Sequence, residues 1–436
     1  MDPASQTHCV LLVHLPPSAL AGIDLLSFTT TPRFRGVKNL PPGLHFVFAS
    51  SDTSLSVRHG AWFYVSPGAG APQVFIKKWD PSTEDLVAEK SQTEVLRWRA
   101  NLGSIWNESL TPYRQTVQSG ESGEEDSVSE ESADWSSLTS KINSTLLSRI
   151  CGLNPDHWSL SSSSSAAQDL EQIPGIDTED SILNPEKELN FLPIDLKRTW
   201  RVGATGRERT DAAQDRSWAL GDLIDNQCHG DNARSRESEI LGEVQFCFLM
   251  ILTLNNNSCL EQWKRLLGVL FTCRQAIKER TYLFLELLKG LRLQLSHLGD
   301  MEASMFDLNE HNGGFLPPLL RRFKKTLDEL EGNWKMNLVN AFEELEDFVK
   351  TEFGWNLDDS YVKRGLLELE DGERVEMDVN GADEDDETGE YAPTIVDLTP
   401  EQMKALQGHR NNGGAQIAEL EEEEDDAELE DMDTRY

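Results

Sequence analysis

Between Ile240 and Leu254, apolar side chains fall on nearly every side of a helical register. Such a helix cannot lie on a surface and has to be enclosed by other elements. The spacing that follows supplies them. Leu260, Trp263, Leu267, Leu270 and Phe271 form one stripe, and Phe284, Leu287, Leu288, Leu291, Leu295 and Leu298 a second. Leu316, Leu319, Leu320, Phe323, Leu327 and Leu330 form a third, and Leu338, Phe342, Leu345, Phe348 and Val349 a fourth. Short polar breaks between the stripes predict antiparallel helices, an all-α bundle or solenoid-like domain over 235–370, without a fixed-period repeat. The longest apolar run, Phe246 to Leu254, is far short of the roughly 20 residues that span a bilayer, so no membrane partner is expected.

The first part of the chain has a different period. Cys9 to Leu15, His45 to Ala49, Ala61 to Val65 and Gln73 to Trp79 are rich in aromatic and β-branched residues. Turn signals separate them: P-P-G at Pro41 to Gly43, S-S-D-T at Ser50 to Thr53 and P-G-A-G-A-P at Pro67 to Pro72. Short strands at this spacing predict a β-sandwich-like domain or a small barrel over 1–160, with flanking helices. The fold class is therefore α+β. S-T-E-D at Ser82 to Asp85 has the pattern of a helix start, with Leu86, Lys90, Thr93, Leu96 and Arg97 following at helical spacing. Trp135, Leu138, Ile142, Leu146 and Ile150 predict one further helix. The serine run Ser159 to Gln168 reads as a linker between two separately folded domains. It opens a partly ordered connection over 161–234, in which Leu189 to Trp200 has the composition of an ordered segment.

Charge is distributed unevenly. The net charge is −36, and from Asp371 to Tyr436 there are 23 acidic and 4 basic residues, a net of −19. Hydrophobic residues make up 38% of the chain, less than a fully compact one carries. The reading is a disordered acidic tail over 371–436 and a mobile acidic loop over 118–131. A chain of this charge repels phosphate backbones, so nucleic acid is not expected as its main partner. The run Glu421 to Asp426 reads as solubilising rather than as a mimic of nucleic acid. None of the six cysteines forms a C-x-x-C pair, which removes the usual zinc spacing and points to free thiols in a reducing compartment. Met1 to Leu15 lacks a basic n-region and is interrupted by His14, Pro16 and Pro17, so no signal peptide is read.

A search for chemistry finds little. Gly68 to Ala71 follows a strand but precedes another, which makes it a turn and not a phosphate loop. Gly203 to Arg209 has the outline of a G-x-x-G RNA-binding loop, against which Glu208 argues. His157, His229, His297 and His311 are isolated in the sequence, and there is no G-x-S-x-G and no H-E-x-x-H. No catalytic, cofactor or metal residues are assigned, and the chain is read as a non-enzyme. Arg321, Arg322, Lys324 and Lys325 form the one sharp basic cluster, read as a solvated helix face, with a nuclear-import or anionic-partner patch as the sharper alternative. Ser122 and Ser127 each precede a glutamate by three positions, a pattern suited to acid-directed kinases.

Two stretches carry a resemblance. The segment Pro32 to Phe46, P-R-F-R-G-V-K-N-L-P-P-G-L-H-F, resembles the signature of the AAR-two family, also called A-one-cistron splicing factors. L-G-E-V-Q-F-C-F-L at Leu241 to Leu249, with W-K-R-L-L at Trp263 to Leu267, resembles the start of that family's helical domain. The linker and tail have the style of a fungal member. The resemblance implies an assembly factor of the U-five snRNP. It implies binding to the large central scaffold protein of the spliceosome, at its RNase-H-like and Jab/MPN-like domains, which delays helicase loading until phosphorylation releases the factor. It brings no catalytic residues.

From the residues themselves, Gly36 and Gly43 are expected at tight turns, Phe34 and Phe46 in the core, and Arg33, Arg35 and Lys38 exposed, either paired with acidic partner residues or merely solvated. Tyr391 to Leu398, Y-A-P-T-I-V-D-L, is a short β-prone break in the acidic tail. Tyr391, Thr394, Ile395, Val396 and Leu398 are expected to contact the scaffold as an added strand. The expected protein is a monomeric phosphoprotein of cytoplasm and nucleus without cofactors. The competing reading is a VHS-like adaptor that binds peptide motifs in trafficking.

Overall fold

A computed structural model describes residues 7–52, 56–68, 71–113, 134–154, 158–165, 187–298, 314–357, 363–368 and 374–379. The chain begins with β1 (His8–Val13), β2 (Leu20–Ile23), β3 (Leu26–Thr29), β4 (Gly36–Leu40), β5 (Gly43–Ser50), β6 (His59–Val65), β7 (Val74–Asp80) and β8 (Asp85–Ala88). Then come α1 (Gln92–Ala100), α2 (Leu102–Glu108), β9 (Leu110–Pro112), α3 (Ser144–Cys151) and β10 (Ser159–Ser161). One sheet has the order β8-β7-β1-β4-β9 and the other β10-β6-β5-β2-β3. Val10, Leu12, Ala21, Ile23, Val37, Val47, Phe63 and Val65 close the core between them, which makes a sandwich.

β1 lies at the centre of its sheet, parallel to β7 and antiparallel to β4. Val10 and Leu12 face the other sheet, while Cys9, Leu11 and Val13 pack with Leu102 and Trp106 of α2. With both faces covered, H-C-V-L-L-V has no reason to alternate. β6 separates its faces by the ordinary period of two. Phe63 and Val65 enter the sandwich core, and Trp62 turns the other way with Phe46 and Phe48 of β5.

That outward face meets the helical half. Its elements are α4 (Gly206–Gln214), α5 (Ser217–Asp222), one π-helical turn at Leu223–Gln227, α6 (Ala233–Leu254) and α7 (Asn257–Leu270). α8 (Arg274–Glu279), α9 (Thr281–Ser296), α10 (Leu316–Glu329) and α11 (Met336–Glu352) follow. α6 is buried along almost its whole length and packs against α3, α7 and α9. Asn232 caps its start by accepting the Ser235 N–H, and Asn255, at φ +57°, ends it in the left-handed conformation. Gly242 lets the 141–146 segment approach, since a Cβ there would stand 2.5 Å from the Lys141 carbonyl oxygen.

Trp62 joins the two halves. Its ring stacks on Trp135 at 5.9 Å and on Phe246 of α6 at 6.1 Å. Phe46, Trp62, Phe246 and the helix interiors thus belong to one continuous core, and Met1–Asp358 forms one compact unit. The core is continuous across the boundary expected between the two domains. The serine run is no open linker over its described part. β10 pairs with β6 (Leu160↔Gly60), and Ser164 and Ser165 are buried. Asn256 Nδ2 donates to the carbonyls of Ser161, Ser162 and Ser164. Serine is small enough to bury when a polar neighbour satisfies its backbone, which composition alone does not reveal.

Two helix expectations also change. Asp85–Ala88 is a strand, because Asp80 accepts the Ser82 N–H and hydroxyl and turns the chain back; the helix starts later, capped by Ser91. The stripe from Trp135 to Ile150 is divided between a helical turn at 134–138 and α3, where Asn143 caps a new start. From Asp359 onward the chain forms a second unit. In it β11 (Lys363–Glu368) and β12 (Arg374–Val379) pair as an antiparallel hairpin, Leu366↔Glu376. This hairpin straddles the boundary expected between helical domain and tail. Ser122, Ser127 and the segment from Tyr391 to Leu398 lie outside the described residues.

Candidate interaction surface

The Arg33–Lys38 stretch is held by β1 on one side and the start of β9 on the other. Leu12 N–H donates to the Arg35 carbonyl and Arg35 N–H to that of Ser109. Gly36, at φ +151°, lies so close to β1 that a Cβ would stand 2.1 Å from the Val10 carbonyl oxygen. Gly43 has φ +136° at the start of β5, with open space around it. Phe34 and Phe46 are core residues. The three cations part company. Arg33 is exposed. Arg35 curls back, donating to the Pro32 and Phe34 carbonyls at 3.0 and 2.8 Å. Lys38 donates to the Trp106 carbonyl at 2.6 Å and stands over its indole. Arg35 and Lys38 are half-buried structural ties, contrary to the expectation that all three face outward. Only their charge type was legible; the carbonyls they reach were not.

Beneath this stretch lies a buried polar network. Asp24 bonds to His45 Nδ1 at 2.8 Å, accepts the Phe46 N–H at 2.9 Å, and takes the Tyr113 hydroxyl. The other ring nitrogen, Nε2, faces the Pro41 carbonyl at 2.9 Å. Burial works against the charged imidazole, but the Asp24 carboxylate, aided by the Pro41 carbonyl, overrides it and holds His45 above its usual value. An Asp–His pair supplies two of the three members of a nucleophilic triad. Here a carbonyl occupies the nitrogen that would activate a nucleophile, so the pair ties β2, β5 and the Pro41 turn together.

A second network crosses the seam between the halves. Arg149 of α3 pairs with Glu239 at 2.6 Å and Glu243 at 2.5 Å, both on α6. Glu243 also accepts from the Leu192 N–H and from Gln262 of α7. Burial holds the Glu243 carboxyl above its usual value, although Arg149, Gln262 and Leu192 draw it down in part. The partners come from distant segments, so no spacing in the sequence announces them.

The basic cluster on α10 is largely engaged. Arg322 donates to the Gln214 carbonyl, Arg321 to that of Asn356, and Lys324 pairs with Glu346 at 2.7 Å. The Gly203–Arg209 stretch is a helix start: Thr205 and Glu208 form a capping box on α4. All six cysteines are free and buried, and burial raises the Cys9, Cys151 and Cys228 thiols to about 12. Among the described residues no three His, Cys, Asp or Glu side chains are grouped to hold a metal, and no helix is long and apolar enough to cross a membrane.

The same two halves appear in comparison with known families. Residues 6–152 match the AAR2 N-terminal domain, and residues 191–358 match the AAR2 C-terminal repeat region. The chain belongs to the AAR2 family. The Protein AAR2 homolog of Homo sapiens is 26% identical over 340 residues, covering 72% of this chain and 81% of the relative. The homolog of Mus musculus is 26% identical over 343 residues, with the same coverage. That of Caenorhabditis elegans is 23% identical over 299 residues, covering 66% of this chain and 78% of the relative. Both AAR2 matches fall within the single compact unit, so the boundary between the family's two regions runs through a shared core.

Proposed function

We propose that this protein is a pre-mRNA splicing factor, a non-enzymatic assembly factor of the U-five snRNP. In this reading it binds the central spliceosomal scaffold protein at its RNase-H-like and Jab/MPN-like domains, delays helicase loading, and leaves when phosphorylated. It acts as a monomer in cytoplasm and nucleus. The observation that carries the reading is the family match over both halves, in order, at 6–152 and 191–358. The chemistry of the fold agrees with a binding role, since its buried Asp24–His45 pair is spent on a backbone carbonyl.

The segment Tyr391 to Leu398 supplies the strand that adds to a scaffold sheet, with Thr394, Val396 and Leu398 on one face and Ile395 on the other. Arg33 is the exposed cation of the N-terminal signature. The test is a calorimetric titration of the full chain into the isolated RNase-H-like and Jab/MPN-like domains. Replacing Ile395 and Val396 together by Asp should weaken binding about tenfold or more, which is about 1.4 kcal/mol. A chain ending at Asn380 should lose as much. Full affinity in both variants removes the tail from the interface, and absence of binding by the full chain overturns the reading. Glutamate at both Ser122 and Ser127 should lower the affinity as well; an unchanged titration excludes these serines from the release step.

A further inference from the structure

On the flank of the sandwich where β6 and β7 pass one another, a cavity of 760 Å³ opens between Trp62, Tyr64, Phe75, Trp158 and Arg99. A second cavity, of 530 Å³, shares Val74, Phe75 and Arg99 with it. Together they form a trough beside β7 and α1.

Three features of the trough lack a counterpart. The first is a strand edge. β10 covers only His59–Ala61 of β6, and the Trp62 N–H donates to the Trp158 carbonyl at 2.8 Å. Strand alternation aims the Tyr64 N–H and C=O the same way as those of Trp62. No strand pairs with them there among the described residues. The second is an indole nitrogen. Trp135 Nε1 donates to the Leu44 carbonyl and Trp158 Nε1 to Ser148 Oγ. Trp62 Nε1, on a residue 0% exposed, has no acceptor among the described residues. An indole N–H so enclosed ordinarily finds a partner. The third is a charge. Arg99, on the last turn of α1, is exposed and makes no ion pair among the described residues, whereas its neighbour Arg97 pairs with Glu94. Tyr64 stands beside these groups, 46% exposed.

We propose that this trough binds an extended peptide of a partner protein, added as a strand to the edge of β6 from Trp62 to Val65. Its main chain satisfies the Tyr64 amide and carbonyl. Alternate apolar side chains rest on Tyr64, Phe75 and Trp158, and an acceptor meets Trp62 Nε1. A carboxylate of the peptide pairs with Arg99. Acidic rather than basic chemistry follows from Arg99, which lines the trough, is exposed and makes no ion pair among the described residues. Main-chain pairing supplies affinity in such sites and the alternate pockets supply selectivity. This proposal is independent of the scaffold reading. There the protein donates a strand, and here it offers an edge.

The experiment pans a phage library of random dodecapeptides on the immobilised full chain, with depletion on the Tyr64→Lys/Arg99→Glu variant. Circular dichroism and thermal melting establish that the variant is folded. Selected peptides should alternate apolar residues and carry at least one Asp or Glu. A fluorescein-labelled selected peptide should bind the wild-type chain and lose about tenfold or more in affinity on Arg99→Glu alone. That substitution lies at an exposed position, so the test survives if the Tyr64 variant misfolds. Hydrogen exchange should slow at the Tyr64 amide when the peptide is bound. The proposal is overturned if depletion removes no peptide, if Arg99→Glu leaves the affinity unchanged, or if protection appears elsewhere and not on β6.

Discussion

Arg149 and Glu243 lie 94 positions apart and meet at 2.5 Å, the guanidinium on α3 and the carboxylate on α6 without exposure to solvent. The pair fixes the register of the sandwich half against the central helix. Removing one partner of a buried pair strands the other, at a cost of about 3–5 kcal/mol. Arg149→Met should therefore lower stability by that order in urea unfolding. The loss should also depend on pH. Burial already holds the Glu243 carboxyl above its usual value; without Arg149, only Gln262 and the Leu192 N–H draw it down, and its folded-state pKa moves further above the unfolded one. The folded variant then holds a proton that the unfolded chain releases, so its stability falls as pH rises through that window. The gap in Tm from wild type should be narrower at pH 5 than at pH 8, and a gap independent of pH counts against this account.

His45 gives the opposite probe of titration. Its folded-state pKa is raised, so the stabilisation it provides is complete below the unfolded value of about 6.5 and disappears as pH rises through the folded value. His45→Gln should cost most at pH 5.5 and progressively less toward alkaline pH. Unfolding free energies of both chains across that range provide the check, and parallel curves exclude a charged His45.

Asn256 holds the serine segment to the helices. Its Nδ2 meets three carbonyls, and its Oδ1 accepts the Cys259 N–H to cap α7. Asn256→Ala loses a cap and leaves buried carbonyls unsatisfied, about 2–4 kcal/mol together. In the wild-type chain, tryptophan fluorescence and far-ultraviolet dichroism should report one coincident unfolding transition. Two separated transitions contradict a shared core.

Gly36 and Gly43 should respond unequally to alanine. Both have left-handed φ, which costs an L-residue about 1–2 kcal/mol. At Gly36 the new Cβ also collides with the Val10 carbonyl of β1. Gly36→Ala should lower Tm several degrees further than Gly43→Ala, as differential scanning calorimetry would show. Equal shifts would mean that β1 yields to the Cβ at little cost.

Legibility followed burial. The strands β5, β6 and β7 carry aromatic and branched residues because their faces are covered, and the sequence announced them. β2 and β4, L-A-G-I and G-V-K-N-L, contain glycine where Phe48 and the β1 backbone press close, and propensity reads glycine as a break. The helical stripes of α7, α9, α10 and α11 were visible for the same reason as α6. Polar ties were not. Asn256, Arg149 and Asp24 act on groups 21 to 95 positions away, and a single sequence has no signal at that range. Low complexity signals exposure only where nothing encloses the backbone, and at the serine run Asn256 encloses it.

The stack of Trp62 on Trp135, with planes inclined by 22°, makes the seam an optical element. Two indoles held rigidly at that separation couple their transition dipoles, and their chiral arrangement gives a near-ultraviolet dichroic band that neither ring has alone. Its amplitude reads the joining of the two halves directly, in solution and without a label. A ligand or partner that prises the halves apart would extinguish it, while one that settles on an outer surface would leave it in place.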